Sequence, residues 1–451
     1  MRKNIEMLQF IKNIKQRIKQ NSFYKSVMVL ASGQILSQVI SVLTVPLCSR
    51  LYTQEAYGEF GIITSTAAII INIITLGLNS AIMVPENDEE SNKIFLTSFY
   101  IQLILATFIL FTMIGFSPIY RFFSVGIPYG VACFIMYIYV LLTGLTGIMS
   151  MHINRKKMNK VLFFNPIINS LTTLLITIPF GFYGLGFLGF LIAAIVAASV
   201  ANIQMLFHSN PFRTKIPFKE IVTICKKYRE FIFFQYPSNI ASALALQMPN
   251  QLFANFFGNS ALGAYSMCQK LLGYPISLIG TPINTVYFRT ASEYYRQGKD
   301  VADFTFQLVS RIMAIAFIPL IIVMSYGNVI FGFILGSNWS EAGNIAGILG
   351  VQYVFLFCTT CTSYCRVVIG KQKVNFVMSI IQLAFIIVPI FVGFYMTHTF
   401  IGTLLFFAIG NTLFQILSLS VDFYCLKKNY FKFILFSLVY VFLAVLLGNL
   451  L

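Results

Sequence analysis

The sequence is poor in charged residues, and poorest in negative ones. Only 10% of its 451 residues are charged, whereas soluble globular proteins carry roughly 25%. It has 14 acidic residues against 31 basic ones, three histidines and a single tryptophan. A chain that is 58% hydrophobic, with a mean hydropathy of +0.81, is not a soluble globular protein. The composition is typical of a polytopic membrane protein.

Acidic residues are also missing from the interior of the predicted spans, and the nearest, Asp422, lies close to the inner end of span twelve. Proton and sodium antiporters hold their ion on a membrane-buried carboxylate, so the sequence argues against that mechanism. The same absence argues against an enzyme with a catalytic carboxylate. With so few histidines, no Ser–His–Asp or Cys–His set is recognisable. We therefore predict a protein that is not an enzyme.

The eight cysteines are scattered, apart from the run Cys358, Cys361 and Cys365. A structural zinc site needs four ligands, and no histidine lies near this run. We interpret these residues as small packing side chains of a membrane helix. The sequence predicts neither a metal site nor a cofactor.

Long hydrophobic stretches are abundant. A helix needs about 20 apolar residues to cross a bilayer, and thirteen segments qualify. They lack the alternation of barrel strands, so we predict an all-α protein. The segments are 27–48, 60–84, 94–117, 126–150, 161–181, 184–207, 231–257, 262–288, 305–326, 342–365, 374–396, 399–425 and 431–450.

The basic residues fall into every second gap between these segments. If the N-terminus is cytoplasmic, the predicted cytoplasmic loops contain 27 of the 31 Lys and Arg. Basic loops stay on the cytoplasmic side, so we predict a multi-pass protein of the bacterial inner membrane. The charge of +17 then faces anionic membrane lipids and does not indicate a nucleic acid partner.

The hydrophobic pattern divides the chain into two similar halves. We predict two six-helix bundles, related by a pseudo-two-fold axis around a central cavity, with a peripheral C-terminal helix. A re-entrant or surface-lying tail is the alternative for residues 431–450. The predicted divisions are an amphipathic segment 1–26, an N-terminal lobe 27–207, a cytoplasmic linker 208–230, a C-terminal lobe 231–425 and an extra helix 426–451.

An internal match supports the repeat. Superposing Gly58 on Gly263 aligns the chain around the start of span two with the start of span eight. It also brings Pro46 and Pro249 within two positions of each other. Repeated halves with interrupted helices are typical of alternating-access transporters. The two prolines are either static kinks or paired pivots, and we list them as candidate hinges.

Several cations are not explained by the loop pattern. Lys270 and Arg311 lie within predicted spans, and Arg50 closes span one. A charge at such depth is costly unless it faces water or an anion, so we predict that these residues contact an anionic cargo. Arg289 and Arg366 lie at inner span ends, where extension toward lipid phosphates is the favoured interpretation.

Amides are concentrated in span seven. Any one of them could join helices by hydrogen bonds, but a set of six indicates a wet cavity that contacts sugar hydroxyls. They are Gln235, Asn239, Gln247, Asn250, Gln251 and Asn255. We predict substrate contacts for the last five.

Three stretches of the sequence resemble a known family. They are Pro46 to Tyr52 with Glu55 to Gly58, Gly258 to Tyr265 with Gln269 to Leu271, and the external segment Phe331 to Trp339 with Gly370 and Lys371. The family is the polysaccharide flippase branch of the multidrug/oligosaccharidyl-lipid/polysaccharide exporter superfamily, the Wzx-type O-antigen flippases. The chain departs from the pattern in two ways: Asn250 and Gln251 stand where members often carry charges, and the related lipid II flippases typically have fourteen spans, not thirteen.

The resemblance implies a flippase that moves undecaprenyl-pyrophosphate-linked oligosaccharide from the cytoplasmic to the periplasmic leaflet by alternating access. Cationic cavity residues would bind the pyrophosphate. Such a protein would associate with polysaccharide polymerase and chain-length proteins. The alternatives are a multidrug/cation antiporter of the same superfamily and a membrane polysaccharide polymerase or ligase.

Overall fold

The computed structural model describes residues 22–115, 127–213, 216–229 and 231–450, and these residues form helices and short connections. Residues 1–21 of the predicted amphipathic segment, and Arg121, lie outside them. The long helices are α1 (Ser22–Leu51), α2 (Gln54–Ile74), α3 (Asp88–Gly115), α4 (Tyr129–Arg155), α5 (Asn159–Phe182), α6 (Phe187–His208), the pair α7 and α8 (Tyr236–Pro275), α9 (Val301–Leu335), α10 (Ser340–Cys361), α11 (Gln372–Thr397), α12 (Phe400–Cys425) and α13 (Tyr430–Leu450).

The pair α7 and α8 is separated at Gly258, whose φ of 84° and ψ of 177° are not helical. This glycine makes the turn between α7 (residues 236–257) and α8 (residues 259–275), in a conformation that a side chain disfavours. Eleven helices of the described residues are long and apolar enough to span a membrane. The amide-rich α7 and α8 are not among these eleven. The chain stays helical after α8 through the π-helix Ile276–Gly280 and the helix Thr281–Arg296. With α7, α8 and this continuation, the helices match the thirteen predicted segments in order.

Polar side chains fix several helix starts. Thr53 accepts a hydrogen bond from the amide of Ala56 at the start of α2, and Asp300 does the same for Asp303 at the start of α9. Such caps satisfy amide groups that lack helical partners. The predicted end of span nine was wrong: α9 continues to Leu335, so the supposed external segment from Phe331 is mostly helical. A short 3₁₀ turn, Ser337–Trp339, then leads into α10.

Helix pairings in the first half recur in the second. In the first half α1 packs on α5, α2 on α4, α3 on α4, α4 on α6 and α5 on α6. In the second, the Tyr236–Pro275 element packs on α10 and α11, α9 on α10, α10 on α12 and α11 on α12. Adding six to each helix number of the first half gives the pairings of the second. The packing is consistent with two similar six-helix bundles.

The halves meet closely where α2 crosses α8. A Cβ added to Gly58 would lie 1.8 Å from the carbonyl oxygen of Asn259, and one added to Gly263 would lie 1.8 Å from that of Gln54. Gly58 therefore packs against the residue four positions before Gly263, and Gly263 packs against the residue four positions before Gly58. Reciprocal contacts of this kind are what a two-fold axis produces. They involve the two glycines that the internal sequence match superposed.

The remaining elements are peripheral. The linker helix, Phe218–Lys227, packs on α3, and its Lys227 donates a hydrogen bond to Glu90. Helix α13 is uninterrupted and packs on α9 and α12. Its 19-residue apolar segment Tyr430–Gly448 is long enough to cross a bilayer. We call the α1–α2 junction the outer end of the bundle, as the basic-loop pattern assigns it.

Candidate functional site between the two halves

The outer end of the bundle is closed by contacts across the two halves. Trp339, which is 1% exposed, donates a hydrogen bond of 2.7 Å from its indole nitrogen to the carbonyl oxygen of Ser49. Ser49 in turn donates a 2.8 Å hydrogen bond from its hydroxyl to the carbonyl oxygen of Leu335. The Trp339 ring also meets Tyr57 edge-on at 5.0 Å. These contacts tie α1 and α2 to the start of α10.

Arg50 lies just outside this closure. Its side chain is exposed and lines a polar cavity of about 290 Å³ together with Thr53, Ser337 and Asn338. The cavity has walls from both halves, because α1 supplies one side and the turn before α10 supplies the other. Arg50 is therefore separated by the closed outer end from the interior of the bundle.

Lys270 lies inside the bundle, on α8. Twelve residues separate it from the turn at Gly258, which places it roughly 18 Å from that end at 1.5 Å per residue. This depth is near the middle of a hydrocarbon core of about 30 Å. The side chain of Lys270 is exposed, whereas Met267 and Cys268 on the same helix are buried. Among the described residues, Cys48 on α1 is the titratable group close enough to influence Lys270, and no carboxylate does so.

Tyr274 lies one helical turn after Lys270 and also interacts with Cys48. It is 8% exposed, and its hydroxyl has no hydrogen-bond partner among the described residues. Burying a hydroxyl without a partner is unfavourable. Lys270 and Tyr274 thus present one cation and one unused hydroxyl toward α1. Tyr274 was not among the predicted site residues. Its position four residues after Lys270 could have indicated that both side chains share one face of the helix.

The amides of α7 do not form one continuous polar face. Gln251 donates hydrogen bonds to the hydroxyls of Ser65 and Thr66 on α2, at 2.8 Å each. It therefore joins the halves. Asn250 donates to Gln247 at 3.3 Å, and Asn255 donates to the carbonyl oxygen of Gln251 in its own helix.

The remaining predicted residues of α7, and the two candidate hinge prolines, lie at the following places in the structure. Asn239 is half-buried in the inner part of α7 and engages in an interaction there. The side chain of Gln235 lies outside the described residues. Pro46 lies within α1, and Pro249 is buried within α7.

Arg311 does not join this group. It lies on the face of α9 that carries the most exposed apolar side chains, a pattern typical of a surface that contacts lipid. The helix starts ten residues earlier, at Val301, so Arg311 is near the inner end of the apolar part. The exposed residues on this face are Ile315, Ile318, Ile322, Tyr326, Val329 and Phe333.

The structure corrects the interpretation of Arg366 and Asp422. Arg366 does not extend toward lipid: it is 7% exposed and pairs with Asp422, which is 5% exposed, at 2.6 Å. The prediction that the chain has no buried carboxylate was therefore wrong for Asp422. The two residues are 56 positions apart, and no local pattern connects them.

Comparisons with known proteins agree with this geometry. Residues 47–344 match the model of the family described as "Polysaccharide biosynthesis protein". The chain is 20% identical over 362 residues to the succinoglycan biosynthesis transport protein ExoT of Rhizobium meliloti (strain 1021). That match covers 76% of this chain and 68% of the relative.

Solved structures share the fold. The lipid II flippase MurJ, in an inward closed conformation, superposes with a TM-score of 0.67 at 14% identity and covers 94% of this chain and 97% of its own. An inward-facing multidrug resistance MATE family transporter of the MOP superfamily gives 0.62 at 15%, with 88% and 93% covered. The resemblance drawn from the sequence is thus confirmed, and the chain belongs to the polysaccharide biosynthesis protein family with the fold of MOP-superfamily transporters.

Proposed function

We propose that this protein is a flippase that carries a lipid-linked oligosaccharide, with an anionic pyrophosphate between lipid and sugar, from the cytoplasmic to the periplasmic leaflet of the inner membrane. The observation that carries the proposal is Lys270: an exposed cation on α8 near the membrane midplane, close to Cys48 of the other half. A cation at that depth is costly unless it meets water or an anion. Relatives named for polysaccharide transport and lipid II flipping support the same class of cargo.

In the proposed cycle Lys270 binds the pyrophosphate and Tyr274 donates its unused hydroxyl to it. Charge-assisted hydrogen bonds suit a phosphate oxygen. Asn239, Gln247, Asn250 and Asn255 are the proposed sugar contacts, and Arg50 is the proposed exit contact. Arg311 contacts lipid phosphate at the inner surface. No bond is made or broken in this cycle, so the protein is not an enzyme.

The closed outer end corresponds to the inward-facing state of an alternating-access cycle. The fold superposes better on an inward-facing MATE transporter, with a TM-score of 0.62, than on an outward-facing one, with 0.55. Opening the outer end would break the Trp339–Ser49 hydrogen bond and separate Gly58 from Gly263. Pro46 and Pro249 are the proposed pivots.

An O-antigen unit is the proposed cargo, and complementation tests it. A flippase-null strain that makes a known O-unit would receive the wild type, Lys270→Met or Lys270→Arg, with surface polymer measured at matched expression. We expect the Met variant to lose about tenfold or more, as for loss of a charge-assisted contact, and the Arg variant to retain most activity. Lys432→Met, at the exposed inner end of α13, is the matched control and should leave polymer unchanged.

Two results would separate the possibilities. Failure of the wild type to restore any polymer, with export of cationic drugs instead, would favour a multidrug antiporter. Restoration by the wild type and equally by Lys270→Met would keep the flippase and reject Lys270 as its anion contact.

A further inference from the structure

The second half encloses a polar cavity near the inner end, between α10, α11 and α12. Its volume is about 310 Å³. Most of its lining side chains carry an oxygen atom, and the cavity holds one carboxylate. The oxygen-bearing residues are Thr359, Thr360, Ser363, Asn375, Ser379, Gln382, Gln415, Ser418 and Asp422.

Three of these side-chain oxygens and one backbone carbonyl oxygen converge on the guanidinium group of Arg366. Its Nε donates to Asp422 at 2.6 Å, and its Nη2 donates to the hydroxyl and the carbonyl oxygen of Ser418 at 2.7 and 2.9 Å. Its Nη1 donates to the amide oxygen of Asn375 at 3.3 Å. Arg366 therefore reaches into the cavity from the short helix Cys365–Val368 and uses its oxygen atoms as acceptors.

These oxygen atoms are also the kind of ligand that a metal cation binds. A carboxylate, an amide oxygen, a hydroxyl and a backbone carbonyl are the ligands that hard cations such as Na⁺ prefer. The described residues hold no cluster of three carboxylate, histidine or cysteine side chains for a divalent metal, so a monovalent ion is the appropriate class. Removing the guanidinium would leave Asp422 buried without its counter-charge, which is strongly unfavourable.

We propose that this cavity is a monovalent cation site whose cation is the side chain of Arg366. Because Arg366 is covalently attached, the site is filled at all times and does not exchange with Na⁺ or K⁺ in solution. Transport by this protein therefore does not depend on a soluble cation at Asp422. Deleting the side chain would turn the cavity into an exchangeable Na⁺ site.

The test measures ion binding and does not depend on the identity of the cargo. Purified protein in detergent is titrated with NaCl or choline chloride at constant ionic strength while Tm is followed. The wild type should show no difference between the salts. Arg366→Ala should have a lowered Tm that NaCl raises by several degrees in a saturable manner, since an ion that binds only the folded state stabilises it.

The double variant Arg366→Ala/Asp422→Asn is the control, because it removes both charges and should lose the NaCl response. Arg366→Lys retains a tethered cation and should behave like the wild type. If Arg366→Ala cannot be purified, the same titration is made on Arg366→Gln, which removes the charge but keeps more of the side chain.

Two results would overturn the proposal. One is an equal response of the neutral variant to both salts, which would mean that no ion enters the cavity. The other is a saturable NaCl response of the wild type that Asp422→Asn removes, which would mean that a soluble cation binds beside Arg366. Neither result bears on whether the protein moves lipid-linked sugar.

Discussion

The two halves share their helix pairings but differ in the chemistry of their interiors. In the first half, buried amides donate to the backbone of α4: Gln102 to Leu141 at 3.0 Å and Asn202 to Leu142 at 2.9 Å. In the second half, the buried ion pair of Arg366 and Asp422 joins the segment after α10 to α12. Lys270, the proposed anion contact, also belongs to the second half.

This difference shows which properties a repeated fold retains. Helix pairing and the reciprocal glycine contact depend on backbone geometry, which both halves keep. Buried charge depends on individual side chains, which are free to differ once the packing is established. We infer that the interior of the first half serves mainly as a neutral wall, while the interior of the second carries the buried ion pair and the proposed anion contact.

The largest expected effect is on the ion pair. Asp422→Ala should lower the free energy of unfolding by about 3–5 kcal/mol, because Arg366 would remain buried and unpaired. Denaturation of the purified protein in detergent measures this. Asp88→Ala is the matched control, since Asp88 also pairs with an arginine, Arg155 at 3.1 Å, but its side chain is 73% exposed. Its loss should cost less than about 1 kcal/mol. Equal losses would contradict a special role for charge in the second half.

At the crossing of α2 and α8, substitutions of Gly58 and Gly263 should have effects of similar size on stability. Gly58→Ala and Gly263→Ala each place a Cβ against backbone, and each should destabilise the closed outer end by about 1–3 kcal/mol. Labelling of the buried Cys48 by a membrane-impermeant thiol reagent should increase in both variants. Gly147→Ala, where the added Cβ meets open space, is the control. A clear effect of one variant without the other would argue against the pseudo-two-fold contact.

A smaller effect is expected for the neutral interior of the first half. Gln102→Leu removes a hydrogen bond to the carbonyl oxygen of Leu141 but retains most of the side-chain volume. We expect a cost of about 1 kcal/mol, typical of one neutral hydrogen bond. Thermal unfolding would check this value. A loss as large as that of Asp422→Ala would mean that the two interiors are energetically alike.

The smallest effect is expected at the linker. Lys227 donates a hydrogen bond to Glu90, and this partner raises the pKa of Lys227 above its ordinary value. The same hydrogen bond lowers the pKa of Glu90. The interaction is therefore present at neutral pH and is lost as the pH rises through the raised pKa of Lys227 or falls through the lowered pKa of Glu90. Because the pair is exposed to solvent, Lys227→Gln should leave Tm within measurement error, and added salt should remove any residual change. A loss of several degrees would show that the linker anchors the first half.

Much of the fold could be predicted because it depends on local sequence. Continuous apolar segments predict the helices, and the basic loops indicate on which side of the membrane each helix begins and ends. The alignment of Gly58 with Gly263 predicted a repeat, and the structure places both glycines at a crossing that depends on the absence of side chains there. Lys270 was selected because its charge conflicts with its apolar surroundings; the structure shows it exposed on α8, and its role as a cargo contact stays a prediction.

What the sequence did not predict depends on contacts between distant residues and on helix rotation. Arg366 and Asp422 each lie near a span end, where lipid phosphate is the default partner of an arginine and water that of a carboxylate, and only tertiary packing brings the two residues together. Arg311 resembles Lys270 in sequence, yet helix rotation places it on the exposed face of α9. Gln251 was grouped with the other amides, but the crossing of α2 and α7 gives it partners in the opposite half.

The most direct test of the account measures lipid translocation in reconstituted vesicles. Purified wild type, Lys270→Met and Lys432→Met would be incorporated with a polyprenyl-pyrophosphate-linked oligosaccharide, and its appearance in the opposite leaflet would be followed with a lectin or a glycosidase. We expect comparable rates for the wild type and Lys432→Met, and a rate at least about tenfold lower for Lys270→Met. Equal rates for all three proteins, above that of empty vesicles, would contradict the claim that Lys270 guides the anionic head group between the two halves.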